Sequence, residues 1–193
     1  MDIELVVGLG NPGESYASTR HNVGFQVLQE LLWRHNGVDW LERASCELSV
    51  IRPARLVALA RPQTYMNRSG EAAGWLLDEF ELSPEQMLVV VDDIDLPLAQ
   101  LRIRRSGGPG THNGLRDLCR EVGTGFPRLR VGVQGEELSG DLADYVTSPF
   151  SPEEVDLARS AVSRAADAVQ VALWNGVEAA MNAYNRSPSA TQF

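Results

Sequence analysis

The sequence predicts a single-domain α/β fold, and three observations carry that prediction. Residues 3–9 are an apolar run stopped by Gly10-Asn11-Pro12-Gly13, after which Val23, Val27, Leu28, Leu31 and Leu32 recur at helical spacing. Met87–Val91 is continuously apolar and ends in Asp92-Asp93, the pattern of a central strand buried on both faces. From Pro152 onward Val155, Ala158, Val162, Ala165, Ala166, Val169 and Leu173 keep helical period. Strands alternating with helices and followed by a helical end fit one layered α/β unit.

In chain order, 3–9 is a buried strand and a helix opens at Asn22, whose side chain is a plausible N-cap. Leu48–Ile51 and Arg55–Ala60 are short strands flanking Arg52-Pro53, a hairpin. A second helix runs from Ser69 to about Phe80, and the central strand follows. Leu101 and Ile103 alternate with Arg102 and Arg104, giving a strand with one solvated, basic side. Ser106–Gly110 is a glycine-rich loop, Leu115–Val122 a helix and Leu129–Val133 a strand. The domain covers 1–185, and 186–193 is a frayed tail.

Composition removes several classes of chemistry. All 17 basic residues are arginine, so lysine bases, Schiff bases and a Walker-type phosphate loop are excluded. Cys46 and Cys119 are too few for a disulfide framework and suit a reduced, cytoplasmic protein. No apolar run of about 18 residues is present, so no membrane span is expected, and a chain opening with Asp2 and Glu4 does not read as a signal peptide. The net charge of −9 is uneven. Residues 102–130 hold seven arginines against Asp117 and Glu121, a local +5, which leaves −14 for the remainder. Such a patch suits either a localised polyanion contact or arginines neutralising nearby acids.

Gly8, Gly10 and Gly13 satisfy the G-x-G-x-x-G dinucleotide fingerprint after a strand. The fingerprint requires a helix opening inside the glycine turn. Pro12 biases Asn11 away from helix, and helical spacing starts only near Asn22, so cofactor binding is disfavoured.

Four polar clusters lie at the ends of predicted elements: Asn11 with Thr19-Arg20-His21-Asn22; Pro62 to Gly70 with Met66-Asn67; Asp92 to Pro97; and Gly107 to Asp117 with His112-Asn113. No G-x-S-x-G elbow supplies a nucleophile, and neither His21 nor His112 has metal-ligand spacing. A histidine, a carboxylate and side-chain amides remain, a set able to run hydrolysis with water as nucleophile. The carboxylate would fix the tautomer of the imidazole, and amides would hold a peptide or an oxyanion.

In this order, Gly-Leu-Gly-Asn-Pro-Gly…Tyr16…Thr-Arg-His-Asn, Pro-x-Thr-Tyr-Met-Asn-x-Ser-Gly, Asp-x-Asp-Leu-Pro and Gly-x-His-Asn-Gly-Leu-Arg-Asp closely resemble the bacterial peptidyl-tRNA hydrolase family, from about residue 3 to Asn185. The resemblance implies a monomer with a mixed β-sheet surrounded by helices, cleaving the ester between a peptide and the terminal ribose of tRNA without metal or organic cofactor. It implies His21 as general base and Asp92 as its partner. Asn67 and Asn113 would position the peptide and the attacked carbonyl; Asn11, Tyr16 and Met66 would line the pocket; His112 would support substrate binding. Arg104 and Arg130 fall on the positions that hold the tRNA 5′-phosphate.

The chain departs from the family in three places. Arg104 stands where lysine is usual, Pro109 and Thr111 stiffen the glycine loop, and Gln134-Gly-Glu-Glu is unusually acidic. Two rival readings are a catalytically silent relative, which could lose His21, Asp92 or Asn113, and a small-ester hydrolase, which would not need the arginines.

Overall fold

Seven strands form one mixed sheet, and their burial follows the sequence pattern. The computed structural model describes residues 2–53, 55–135 and 141–185. The strands are β1 (Leu5–Gly8), β2 (Leu41–Arg43), β3 (Cys46–Ile51), β4 (Val57–Pro62), β5 (Met87–Pro97), β6 (Leu101–Arg104) and β7 (Arg128–Gln134), in the order β2-β3-β4-β1-β5-β7-β6. The four central strands β4, β1, β5 and β7 are parallel, and the outer pairings β2/β3, β3/β4 and β6/β7 are antiparallel. β1 and β5 lie in the middle and are buried on both faces, which is why both read as unbroken apolar runs. β6, at the edge, alternates buried and exposed as predicted.

The helices are α1 (Val23–Arg34), α2 (Ser69–Glu79), α3 (Asn113–Val122), α4 (Leu142–Val146), α5 (Val155–Asn175) and α6 (Val177–Tyr184). Two apolar clusters flank the sheet. On one face α1, α5 and α6 pack over Val6, Leu88, Val90, Leu129 and Val131. On the other, α2 and α3 pack over Leu5, Val7, Val89 and Val91. Alternate residues of each central strand therefore serve opposite layers.

The structure departs from the sequence reading in three ways. β5 continues six residues past Val91, so the cluster from Asp92 to Pro97 lies on the strand itself. The strand β2 and the short helix α4 were not predicted. Asn22 does not cap α1 with its side chain, because that side chain grips Asn11 instead. The tail at 186–193 and the acidic Glu136 and Glu137 lie outside the described residues. No helix among the described residues is long and apolar enough to cross a membrane.

The glycines of the false fingerprint are explained by packing. A Cβ at Gly8 would lie 2.4 Å from the carbonyl oxygen of Gly24, so α1 crosses β1 with backbone nearly touching backbone. The helix opens after a single turn at Arg20–Asn22, well beyond the glycines, so its N-terminus does not face the glycine turn.

Candidate active site

Parallel strands end together, and here the ends of β1, β4 and β5 deliver the polar clusters to one edge of the sheet. They surround a cleft of about 800 Å³ lined by Asn11, His21, Met66, Asn67, Asp92, His112, Asn113 and Arg130, together with Ile94 and residues of α4.

His21 sits in the turn before α1, and its Nδ1 lies 2.9 Å from each Asp92 oxygen. Asp92 is 1 % exposed and also receives His112 Nε2 at 2.9 Å. Burial by itself would raise the Asp92 carboxyl, but the imidazoles of His112 and His21 outweigh it and hold the group well below the usual carboxylate range. An ionised carboxylate only accepts, so Nδ1 of His21 carries the proton between them. The Nε2 lone pair of His21 is left without a protein partner among the described residues, on a ring that lines the cleft.

His112 lines the cleft with both of its ring nitrogens engaged by protein. It is the N-cap of α3, where its Nδ1 accepts the Leu115 backbone N–H at 3.1 Å. Its proton is therefore on Nε2 and is donated to Asp92, so both ring nitrogens are spent on protein. His112 supports the carboxylate and has no nitrogen to offer a ligand.

Ligand-type atoms of His21, Asp92 and His112 lie within 4.8 Å of one another, a grouping that sequence spacing did not reveal. The donor chemistry fits hydrogen bonding rather than metal binding. With Nδ1 of His112 filled by Leu115, a metal at Nε2 would require an imidazolate.

Two of the three cleft amides, Asn11 and Asn113, have their oxygen end fixed. Asn11 is clamped by Asn22, whose side chain accepts from the Asn11 N–H at 2.8 Å and donates to its carbonyl at 2.9 Å. Asn11 Oδ1 accepts the Met66 N–H at 2.8 Å, which leaves its amide nitrogen for the cleft. Asn113 Oδ1 accepts from Arg116 at 2.9 Å, again leaving its amide nitrogen. Asn67 lines the cleft, and its side chain bonds to none of the described residues. Met66 packs against the start of α3, where a Cβ on Gly114 would lie 2.5 Å from its sulfur. Tyr16 is not among the cleft walls. It lies in the turn Glu14–Tyr16, where its carbonyl accepts from both the backbone and the hydroxyl of Thr19.

Asp93 also borders the cleft but pairs with Arg130, at 3.0 Å, rather than with a histidine. Arg130 also donates to the carbonyls of Gly108 and Pro109, while the buried Arg128 donates to Gly107, Thr124 and Phe126. Part of the arginine cluster is thus internal scaffolding for the glycine loop. Arg105 and Arg120 pair with Glu178 and Asp117, whereas Arg102 and Arg104 are exposed and form no ion pair among the described residues.

The cleft wall from Asp141 to Thr147 was missed by sequence reading. One signal was available: Asp141 caps α4, accepting the Ala143 N–H at 2.7 Å.

A mixed α/β sheet whose strand ends present a carboxylate-backed imidazole and partly free amides defines a hydrolytic enzyme. Burial pushes the Cys46 thiol up to about 11, which leaves it inert. Comparison with known proteins agrees with that class and narrows it: the chain belongs to the peptidyl-tRNA hydrolase family, whose model matches residues 5–192. It is 48% identical over 185 residues to a peptidyl-tRNA hydrolase of Chloroflexus aggregans, covering 94% of this chain and 98% of that one. The identity to the Aquifex aeolicus protein is 46% over 191 residues, with 96% and 98% covered. The solved structure of peptidyl-tRNA hydrolase from Acinetobacter baumannii superposes with a TM-score of 0.87 at 33% identity, covering 95% of this chain and 94% of that one.

Proposed function

We propose that this protein hydrolyses the ester joining a peptide or N-blocked amino acid to tRNA, with His21 as general base. The observation that carries the reading is the Asp92–His21 pair, which leaves the outer imidazole nitrogen without a partner among the described residues, on a cleft bordered by partly free amides. In the forward step His21 Nε2 takes a proton from water as the oxygen attacks the ester carbonyl, and Asp92 stabilises the imidazolium. The amide nitrogens of Asn67 and Asn113 are candidates to hold the carbonyl and the oxyanion that forms on it. Collapse expels the ribose hydroxyl, which takes the proton back from His21. Asn11 and Met66 shape the peptide end.

Of the two proposed 5′-phosphate contacts, Arg104 is exposed and forms no ion pair among the described residues, whereas Arg130 would have to share its guanidinium with Asp93. The functional unit is residues 1–185, working as a cytoplasmic monomer without a cofactor. The test is release of N-acetyl-amino acid from N-acetyl-aminoacyl-tRNA, with free aminoacyl-tRNA as control. A folded His21→Ala protein is expected to lose on the order of 10²–10⁴-fold in kcat. Near-normal turnover by that variant refutes the mechanism.

A further inference from the structure

Arg20 adjoins the proposed base, yet the chemistry above makes no use of it. Its side chain is 6 % exposed, and its two terminal guanidinium nitrogens are committed to one stretch of chain, while Nε is buried without a partner among the described residues. Its backbone N–H donates to the Ser148 carbonyl at 3.1 Å. One guanidinium nitrogen donates to Ser148 Oγ at 3.1 Å and to the Pro149 carbonyl, and another pairs with Glu154. The guanidinium carbon lies 4.4 Å from the ring centre of Tyr145 and 4.9 Å from that of Phe150. Thr19 forms an isolated antiparallel bridge with Pro149 beside it.

These partners belong to α4 and to the segment leading into α5. α4 is five residues long and contributes no buried residue, so it is too short to hold its own position. It nevertheless supplies Leu142, Ala143 and Val146 to the cleft that His21 also lines. Its other anchor is the Tyr145 hydroxyl, which donates to the Val133 carbonyl at 3.2 Å and accepts the Gly135 N–H at 2.8 Å.

We infer that Arg20 is a positioning residue that latches the α4 wall to the turn carrying His21, so that base and wall form one cleft of fixed width. Lysine cannot replace it: a point charge keeps the Glu154 pair but loses the planar fork and the stacking on Tyr145. The inference rests on the cleft being the peptidyl-tRNA site, since the wall then borders the bound ester.

The test compares the wild-type chain with Arg20→Lys and Phe150→Leu. Hydrogen exchange is followed at the amides of Tyr145, Thr147 and Ser148, with those of Val89 to Val91 as core reference, and kinetics use N-acetyl-aminoacyl-tRNA. Exchange in the α4 amides should accelerate on the order of tenfold with core protection unchanged. KM should rise by a similar factor, with kcat held within about threefold and the pH profile unmoved, because the Asp92–His21 pair is intact. Phe150→Leu removes one ring from the Arg20 guanidinium and leaves both the Glu154 pair and the Tyr145 hydroxyl anchor in place, which covers the case in which Arg20→Lys does not fold.

Unchanged α4 exchange in the folded variants overturns the inference. So does a loss of protection that spreads into the core, which would make Arg20 a general structural residue. Faster exchange without a change in KM, or a fall in kcat as large as the rise in KM, also removes the assignment to the wall. Failure of the wild type to cleave the substrate refutes the proposed function instead, and the exchange data still decide whether the latch exists.

Discussion

At the scale of single residues, the doublet Asp92-Asp93 shows how a strand divides chemistry between two faces. Asp92 receives one imidazole from the turn before α1 and another from the start of α3, and Asp93 meets Arg130 instead. Successive side chains of a strand point oppositely, so two adjacent carboxylates cannot both serve one histidine. Asp92→Asn should cut kcat strongly with little change in KM, because an amide cannot stabilise the imidazolium; Asp93→Asn should be much milder. Steady-state kinetics on both variants check this, and equal losses would reassign the role. The same carboxylate also shapes acid stability. Its folded pKa is depressed below the ordinary 3.8, so its contribution is fully present above that value. It is lost as pH falls further, because the unfolded chain then takes up a proton that folded Asp92 does not. The stability curve of Asp92→Asn should accordingly be flatter below about pH 4 in urea titrations. The sequence pointed to Asp92 through its place at the end of the apolar run. It could not show His112 bonding to that carboxylate, because the link depends on where α3 begins in space.

At the scale of elements, close approach between β1 and α1 sets the position of the base. α1 follows the His21 turn directly, and it can lie across β1 only because Gly8 and Gly24 leave no side chain between them. Gly8→Ala puts a methyl group against backbone rather than against a movable side chain. It should destabilise the fold by ~1–3 kcal/mol, read as a lower urea midpoint at unchanged m. A midpoint equal to the wild type would show that the helix can shift without penalty. Long elements with strong periodicity, such as α1, α2, α5 and the apolar half of β5, were legible in the sequence. β2 and α4 were not: each is five residues or fewer and fully or mostly exposed, so neither carries a hydrophobic period.

At the scale of the whole molecule, charge is the organising feature. An acidic chain with one arginine-rich stretch offers a polyanion few places to land. The structure makes that surface smaller than the count suggested, since Arg128 is buried and Arg105, Arg120 and Arg130 are already paired. Arg104→Ala is therefore the cleaner test of the phosphate contact. It should raise KM for peptidyl-tRNA, leave kcat nearly unchanged and flatten the log–log salt slope by roughly one unit. A substrate truncated to the 3′ end of the tRNA should not respond. Equal responses from the full and truncated substrates would make the arginine structural.

The sequence by itself determined the layered α/β class, the strand ends as the place for chemistry, the absence of lysine and the motifs that mark the family. Those features are local: they follow from hydrophobic period, turn chemistry and residue identity along a few neighbouring positions. Only the tertiary structure decided that His112 bonds Asp92, that Arg130 is tied to Asp93, that the Tyr16 carbonyl holds Thr19 and that Arg20 grips α4. Each depends on side chains tens of residues apart meeting in space, and many hydrogen-bond partners are equally compatible with one linear pattern until packing of the two layers brings a single set within reach.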